Sequence, residues 1–464
     1  MSGVSGAKPR ERTRLRPETR LLPVLGLGFG LAVTVGNAIG AGILRAPGEI
    51  AGHLPDVGLY LAAWAVGGLY ALLGALQLSE LGAMIPRSGG QYVFSRYALG
   101  QYPGFIVGWS DWISTAGTAA AVSIVIGEFS VALVPGLRVS AAAIATAVVI
   151  VFALAQWRGI RWGSAIQNVT SLLKTLAFVA LAIAALALSA DTRSADATLT
   201  PPAGMAVVAA FVLSLQAVIY TYDGWSATSY FCEEVEDPGR DIPRSMIGGV
   251  LSVIAIYLLV NVALLAVLPV STLAGQTFAA GTVAGIIFGA WGDPVFRVLT
   301  IISMLSALNS NHLMASRVLF AMSRDGLVTT KAALVNQGGT PTIALLASTV
   351  VAVLFVVFGR TFGTVITVLS FFFVANYTMS FIAVFVLRRR EPEKPRPYRA
   401  WGYPWTTGLA LAGSIAFLIG AIASDPANSL IALAVLAASY PVFRLVTSSA
   451  RLSSGLQPPD PGSA

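Results

Sequence analysis

Apolar runs long enough to cross a bilayer follow one another along almost the whole chain, and no other feature restricts its fold as much. They lie at about 24–50, 58–84, 101–133, 139–156, 163–189, 204–234, 245–269, 293–322, 341–358, 363–387, 405–423 and 428–449. A hydrocarbon core takes about 20 apolar residues per helix. Of the 464 residues, 56% are hydrophobic and only 11% charged, against about 25% charged in soluble domains. Too few polar side chains exist to cover a water-facing surface, so lipid is the solvent. The expected fold class is an all-α membrane protein with 12 transmembrane helices.

Residues 1–20, "MSGVSGAKPRERTRLRPETR", are polar and basic and contain no apolar core of a signal peptide. They read as a cytoplasmic tail, followed by a single transmembrane domain over 21–450 and a second cytoplasmic tail over 451–464. Placing the N-terminus inside puts Arg87, Arg96, Arg158, Arg161, Arg240, Arg244, Arg317, Arg324, Lys331, Arg388, Arg389, Arg390, Lys394, Arg396, Arg399, Arg444 and Arg451 on the cytoplasmic side as well. That bias predicts both termini in the cytoplasm of a multi-pass protein of the cell (inner) membrane. The net charge of +8 sits in these short loops, so it reports topology, and no nucleic-acid partner is expected. A single cysteine, Cys232, and two distant histidines, His53 and His312, offer no metal cluster. No metal or other cofactor is expected.

Two of the runs are interrupted. The first contains "VGNAIGAGILRAPG" (35–48), where Gly36, Gly40, Gly42, Gly48 and Pro47 weaken a helix at membrane depth. Non-helical backbone survives there only when buried in protein or facing a polar cavity. Taken alone, Gly36-xxx-Gly40 also fits close helix packing. The sixth run carries "YTYDGWS" (220–226), with Asp223 and Gly224 near its middle. An ionisable residue at that depth is a functional-site signal. Breaks in runs one and six suggest an inverted repeat of five plus five helices, about 24–189 and 204–387, with helices 11 and 12 (405–449) outside it. Unwinding frees amide donors near Ala41, Gly42 and Ile43, which suit a carboxylate. It frees carbonyl acceptors near Asn37 to Ile39 and Tyr220 to Tyr222, which suit an ammonium. A molecule bearing both groups on one carbon, an α-amino acid, is the simplest occupant.

The same residues carry a family resemblance. "VGNAIGAGIL", "SELGAMIPRSGGQYVF" (79–94), "RWGSAIQNVTSLLKTLAF" (161–178), "YDGWSATSYFCEEVEDPGRDIPRSM", "SRDGLV" (323–328) and "RRREPEKPRPYRAWGYP" (388–404) occur in order along the chain. The chain resembles a bacterial member of the amino acid–polyamine–organocation (APC) superfamily, nearest its L-amino acid transporter branch. The resemblance implies the LeuT-like inverted-repeat fold and alternating access. It places Gly40, Ala41, Gly42 and Ile43 at the substrate carboxylate, and Tyr220, Thr221 and Tyr222 around the ammonium. Tyr220 and Trp225 are then gating aromatics. Asp223 either reads a hydroxyl or amine of the substrate or caps the second half-helix. Animal members join a single-span partner through a cysteine after run three. "LVPGLRVS" has none, so no covalent partner subunit is expected.

Lys174 lies near the middle of run five. The resemblance puts its ammonium where sodium-coupled relatives of the fold hold sodium, bridging the first break and run eight, where Ser303, Ser306 and Asn309 are possible neighbours. Of the other charges, Glu80 is expected to reach the interface and Glu128 the outer headgroups. Glu233 and Glu234 should face cytoplasmic water, and Arg45 should line an outer vestibule. Asp111 reads equally as part of an ion pair or of a water-facing gate. Trp64, Trp157 and Trp162 read as interface anchors. No enzyme motif is present: there is no His-Glu-x-x-His and no Ser–His arrangement. The expected function is sodium-independent transport of neutral amino acids, by exchange or proton coupling. Two alternatives stay open, a non-transporting amino acid sensor and a transporter of cationic amino acids or amines.

Overall fold

A computed structural model describes residues 21–134, 136–188, 204–358 and 362–454. The predicted tail 1–20 lies outside them, as do residues 135, 189–203, 359–361 and 455–464. Of the predicted second tail, residues 451–454 continue the last helix. Among the described residues every predicted run is helical, and the only β pairings are the isolated bridges Leu25–Val235 and Val335–Pro341.

In chain order the helices are α1 (Leu27–Ala38), α2 (Gly42–His53), α3 (Val57–Met84), α4 (Gln91–Leu99), α5 (Gln101–Leu133), α6 (Ala141–Trp157), α7 (Ile160–Leu188), α8 (Met205–Tyr222), α9 (Pro238–Val267), α10 (Val270–Leu273), α11 (Ala279–Phe288), α12 (Gly292–Arg324), α13 (Thr342–Phe358), α14 (Phe362–Arg390), α15 (Trp405–Ser424) and α16 (Pro426–Ser454). Ten segments are long and apolar enough to cross a membrane, and α6 and α13 are shorter apolar helices. The first run is split into α1 and α2, and the sixth into α8 and a 3₁₀ turn, Ala227–Phe231. Local signals set several ends. Asp56 accepts a hydrogen bond from Leu59 N at 2.8 Å to cap α3. Ser140 caps α6 through Ala143 N, and Pro238 opens α9 where no amide is needed. Helices α4 and α11 escaped the sequence reading because each is too short for a span.

Around the two breaks, α1 packs on α7, α9 and α12, while α5 runs alongside α12 and α3 alongside α9. One face of the bundle is tied by charges. We call it the N-face, since the described chain begins there: Val24 N and Leu25 N donate to Glu234 O at 3.0 and 2.9 Å. Beside that contact Arg317 makes a bidentate pair with Glu234, both bonds 3.0 Å, with neither side chain exposed. Arg324 pairs with Glu233, and Arg87, Arg96 and Tyr92 converge on Asp325. Glu80 accepts from Arg388, Arg396 and Ala400 N.

These contacts correct four expectations. Glu234 is buried, not water-facing, because Arg317 satisfies it. Glu80 is 2% exposed, because the 388–400 segment folds over it instead of leaving it at the interface. Glu128 is paired with Arg45 at 2.5 Å rather than reaching headgroups alone. Trp64 is fully buried against Tyr222 and Tyr257, whereas Trp157 and Trp162 stay exposed as anchors would.

Breaking a buried ion pair from one side leaves the other charge uncompensated. Arg317→Met is therefore expected to destabilise the protein by about 3–5 kcal/mol, and adding Glu234→Met should restore most of it. Thermal unfolding of both variants in detergent checks this. A double variant as unstable as the single one would contradict it.

Candidate functional site

Helix α1 ends because Ile39 leaves helical geometry (φ −72°, ψ 80°). Gly40 N turns back to Ala38 O at 2.7 Å, and α2 starts at Gly42. The first amides of α2, those of Gly42 and Ile43, have no carbonyl one turn back inside the helix. Opposite them α8 ends at Tyr222, and Gly224 adopts φ +107°, a backbone state that favours glycine. A Cβ on Gly224 would sit 2.8 Å from Ala38 N, so the two breaks touch. Gly42 is just as close to α8: a Cβ there would lie 2.7 Å from Thr221 Cα. Glycine at both points lets backbone meet backbone.

The carbonyls freed by the break go to named partners. Lys174 Nζ donates to Gly36 O at 2.5 Å, Ile39 O at 2.8 Å and Ser303 O at 3.1 Å. An ammonium has three donors, and all three are used. Ser303 Oγ donates to Ile39 O at 3.3 Å. Tyr257 OH lies 2.6 Å from Ala38 O and 2.9 Å from Thr221 O, sharing its one proton between them. One phenol thus spans both breaks. Asn37 Oδ1 accepts from Ser310 Oγ and Asn311 Nδ2 on α12.

A cavity of about 20 Å³ lies where the breaks meet, lined by Asn37, Ala38, Gly40, Ala41, Gly42, Tyr220, Thr221 and Asp223, with Thr118 and Val122 of α5 and Ala307 and Asn311 of α12. That space holds a single water, so in this conformation the site is closed down. On the face opposite the N-face, a vestibule of about 440 Å³ reaches the same Gly42, Tyr220 and Thr221. Arg45, Glu49, His53 and Asp425 also line it, in keeping with the expectation for Arg45. Tyr220 stands at the neck between vestibule and cavity.

Of the residues singled out from sequence, Asn37, Gly40, Ala41, Gly42, Tyr220, Thr221 and Asp223 line the cavity. The others do not line it. Ile39 and Ile43 are buried in the core. Tyr222 turns to Tyr257, with ring centroids 4.9 Å apart. Trp225 packs at a tilt against Tyr377, ring centroids 4.6 Å apart, and fills the space left by Gly74. Asp223 accepts from the Tyr377 hydroxyl and from Gly224 N. Ser303 meets Lys174. Ser306 instead bonds Ser171 and Gln167 at 3.1 Å, and Asn309 bonds Gly163 O, Gln167 and Gln156. Thr118, Val122, Ala307 and Asn311 had no signal beyond their place on apolar helices. Asp111, 1% exposed, forms no ion pair among the described residues, so the ion-pair reading of it does not hold, and in this conformation it is shut away from water.

Lys174 occupies a ring of carbonyls of the kind that holds cations at unwound helices. Lys174→Ala strands those carbonyls, at about 1–3 kcal/mol for each group left unpaired. The variant should melt a few degrees lower than the wild type in choline buffer, and sodium should recover part of the loss. The wild type should melt equally in both salts. Identical melting of variant and wild type would contradict the account.

A sequence profile for the family described as "Amino acid permease" matches residues 30–445. The chain is 29% identical over 427 residues to the serine/threonine exchanger SteT of Bacillus subtilis (strain 168), covering 90% of this chain and 95% of that one. It is 27% identical over 390 residues to the human b(0,+)-type amino acid transporter 1, covering 81% and 79%. It is 28% identical over 405 residues to the mouse Asc-type amino acid transporter 1, covering 84% and 74%. These relatives are transporters, not enzymes. With two crossing helix breaks at its centre and a family match over nearly its whole length, this multi-pass membrane chain belongs to the amino acid permease family of the APC superfamily.

Proposed function

We propose that the chain is a secondary-active amino acid transporter that works by alternating access, sodium-independently, on neutral amino acids, by exchange or proton coupling. The supporting observation is the pairing of free α2 amides with a break whose cation position Lys174 fills. The Gly42 and Ile43 amides and the positive end of α2 take the substrate carboxylate. The ammonium goes to the side of the cavity lined by Asn37 and by Tyr220 to Asp223. Tyr220 closes the vestibule above it. Five helices from α1/α2 to α7 and five from α8 to α14 form the inverted repeat, with α15 and α16 outside it. The N-face is cytoplasmic, where its arginines belong, and the membrane is the cell (inner) membrane. No covalent partner subunit is required, since Cys232 is buried.

A second reading has its own observation. The Asp223 carboxylate lines the cavity with no basic partner among the described residues. It would suit the amine of a cationic substrate.

Counterflow into sodium-free proteoliposomes decides between them. Vesicles preloaded with a mixture of unlabelled amino acids are offered each labelled one in turn. Uptake of a neutral subset fits the main reading. Uptake of lysine or arginine that Asp223→Asn abolishes fits the second. Gly42→Val, which drives a side chain into Thr221, should abolish uptake of every label. Wild-type vesicles that bind a label without accumulating it would contradict transport and leave a sensor.

A further inference from the structure

Asp111 is a buried carboxyl on a spanning helix that the site leaves unexplained. It sits ten residues into α5, about 15 Å from the N-face end by helical rise, and is 1% exposed. Its Oδ1 accepts from the Tyr230 hydroxyl at 2.7 Å and from Thr115 Oγ1 at 3.5 Å. Its Oδ2 is buried with no hydrogen-bond partner. Nearby, Asn376 Nδ2 is equally unpartnered, while its Oδ1 accepts from Ser110 Oγ.

Tyr230 belongs to the 3₁₀ half of the broken sixth helix. The loop after α3 holds it: Gly89 N donates to Tyr230 O at 3.2 Å, and the bare Gly90 leaves space for its ring, since a Cβ would stand 2.6 Å away. The Asp111–Tyr230 bond therefore ties α5 to a segment that must move for the N-face to open.

The charged and titratable groups around α5 are otherwise engaged or lack a charge to offer. On α12, Arg317 is taken by Glu234, and His312 is buried without a partner. On α4, Arg96 and Tyr92 go to Asp325. On α14, Tyr377 goes to Asp223. Helices α6 and α13 carry no charge, and Arg444 of α16 is exposed. A carboxylate stripped of water with no cation beside it takes up a proton.

We propose that Asp111 and Tyr230 form a proton-dependent latch on the N-face half of the transporter. With the face closed, Asp111 is a neutral acid held by Tyr230. When the 3₁₀ segment moves away and water enters, the O–H bond of Asp111 breaks, leaving the carboxylate and giving the proton to N-face water. Closing takes one proton back. Acid on the N-face therefore favours the closed state. The latch rests on the alternating-access reading, but its test does not depend on transport.

Cys232 is the single cysteine, 0% exposed and two residues from Tyr230, so its labelling reports opening of this segment. Purified full-length wild type and Asp111→Asn are labelled with a small maleimide across a pH series. The ratio of the two rates cancels the thiol's own ionisation. The ratio of wild type to variant should climb with pH, approaching about tenfold per unit for one released proton. A ratio constant with pH would overturn the latch. If Asp111→Asn does not fold, Asp111→Ser replaces it: a side chain that cannot ionise carries the same expectation, and a flat ratio again overturns the proposal. Loss of counterflow in the wild type would count against transport alone.

Discussion

A peptide group that loses its helical partner inside a bilayer has to find another one, and the rest of this structure follows from how the first break does so. Three carbonyls, of Gly36, Ile39 and Ser303, converge on the Lys174 ammonium. An ion pair was not available at this depth. Carbonyl dipoles supply the stabilisation instead, and they are fixed in place because α1, α7 and α12 pack together. The same bonds lock the end of α1 in a position that leaves the start of α2 pointing into the cavity. Lys174 thus converts a cost, unpaired backbone, into a fixed set of free amides.

Around that centre the polar groups are divided by role. On the side of α7, Gln167, Ser171 and Ser306 hold Ala32 O and one another, continuing the polar seam from Lys174. On the side of α9, the Tyr257 hydroxyl bridges Ala38 O and Thr221 O, which links the two breaks. Toward the N-face the seal is ionic, with Glu234–Arg317 buried at its core. Toward the opposite face there is a vestibule, with Tyr220 at the neck beside Gly42 and Thr221. One end is shut by charges that cost several kcal/mol to separate, the other by an aromatic side chain. That asymmetry matches a bundle ready to admit substrate from the vestibule side.

Much of this was legible in the sequence. Run length gave the helices, and glycines 42 and 224 marked the breaks because side chains there would collide with the opposing backbone. Lys174 was found because a lysine mid-span must be held by something. What sequence could not supply was direction. Trp225 and Tyr222 lie within the motif, yet face α3 and Tyr377 instead of the cavity, since a 3₁₀ turn replaces the expected half-helix and changes where each side chain points. Glu80 and Glu234 read as interfacial because their partners, Arg388, Arg396 and Arg317, lie 83 residues or more away in the chain. Thr118 and Asn311 reach the cavity only through the packing of α5 and α12 on the breaks.

The central claim is that the amides opening α2 receive the substrate's carboxylate. The most direct measurement is equilibrium competition on purified protein between a labelled amino acid that the protein binds and two unlabelled forms of it, the free acid and its carboxamide. The account predicts that the free acid displaces the label while the carboxamide, lacking the negative charge, does not. Equal displacement by both would show that the α2 amides do not read a carboxylate, and would contradict the account.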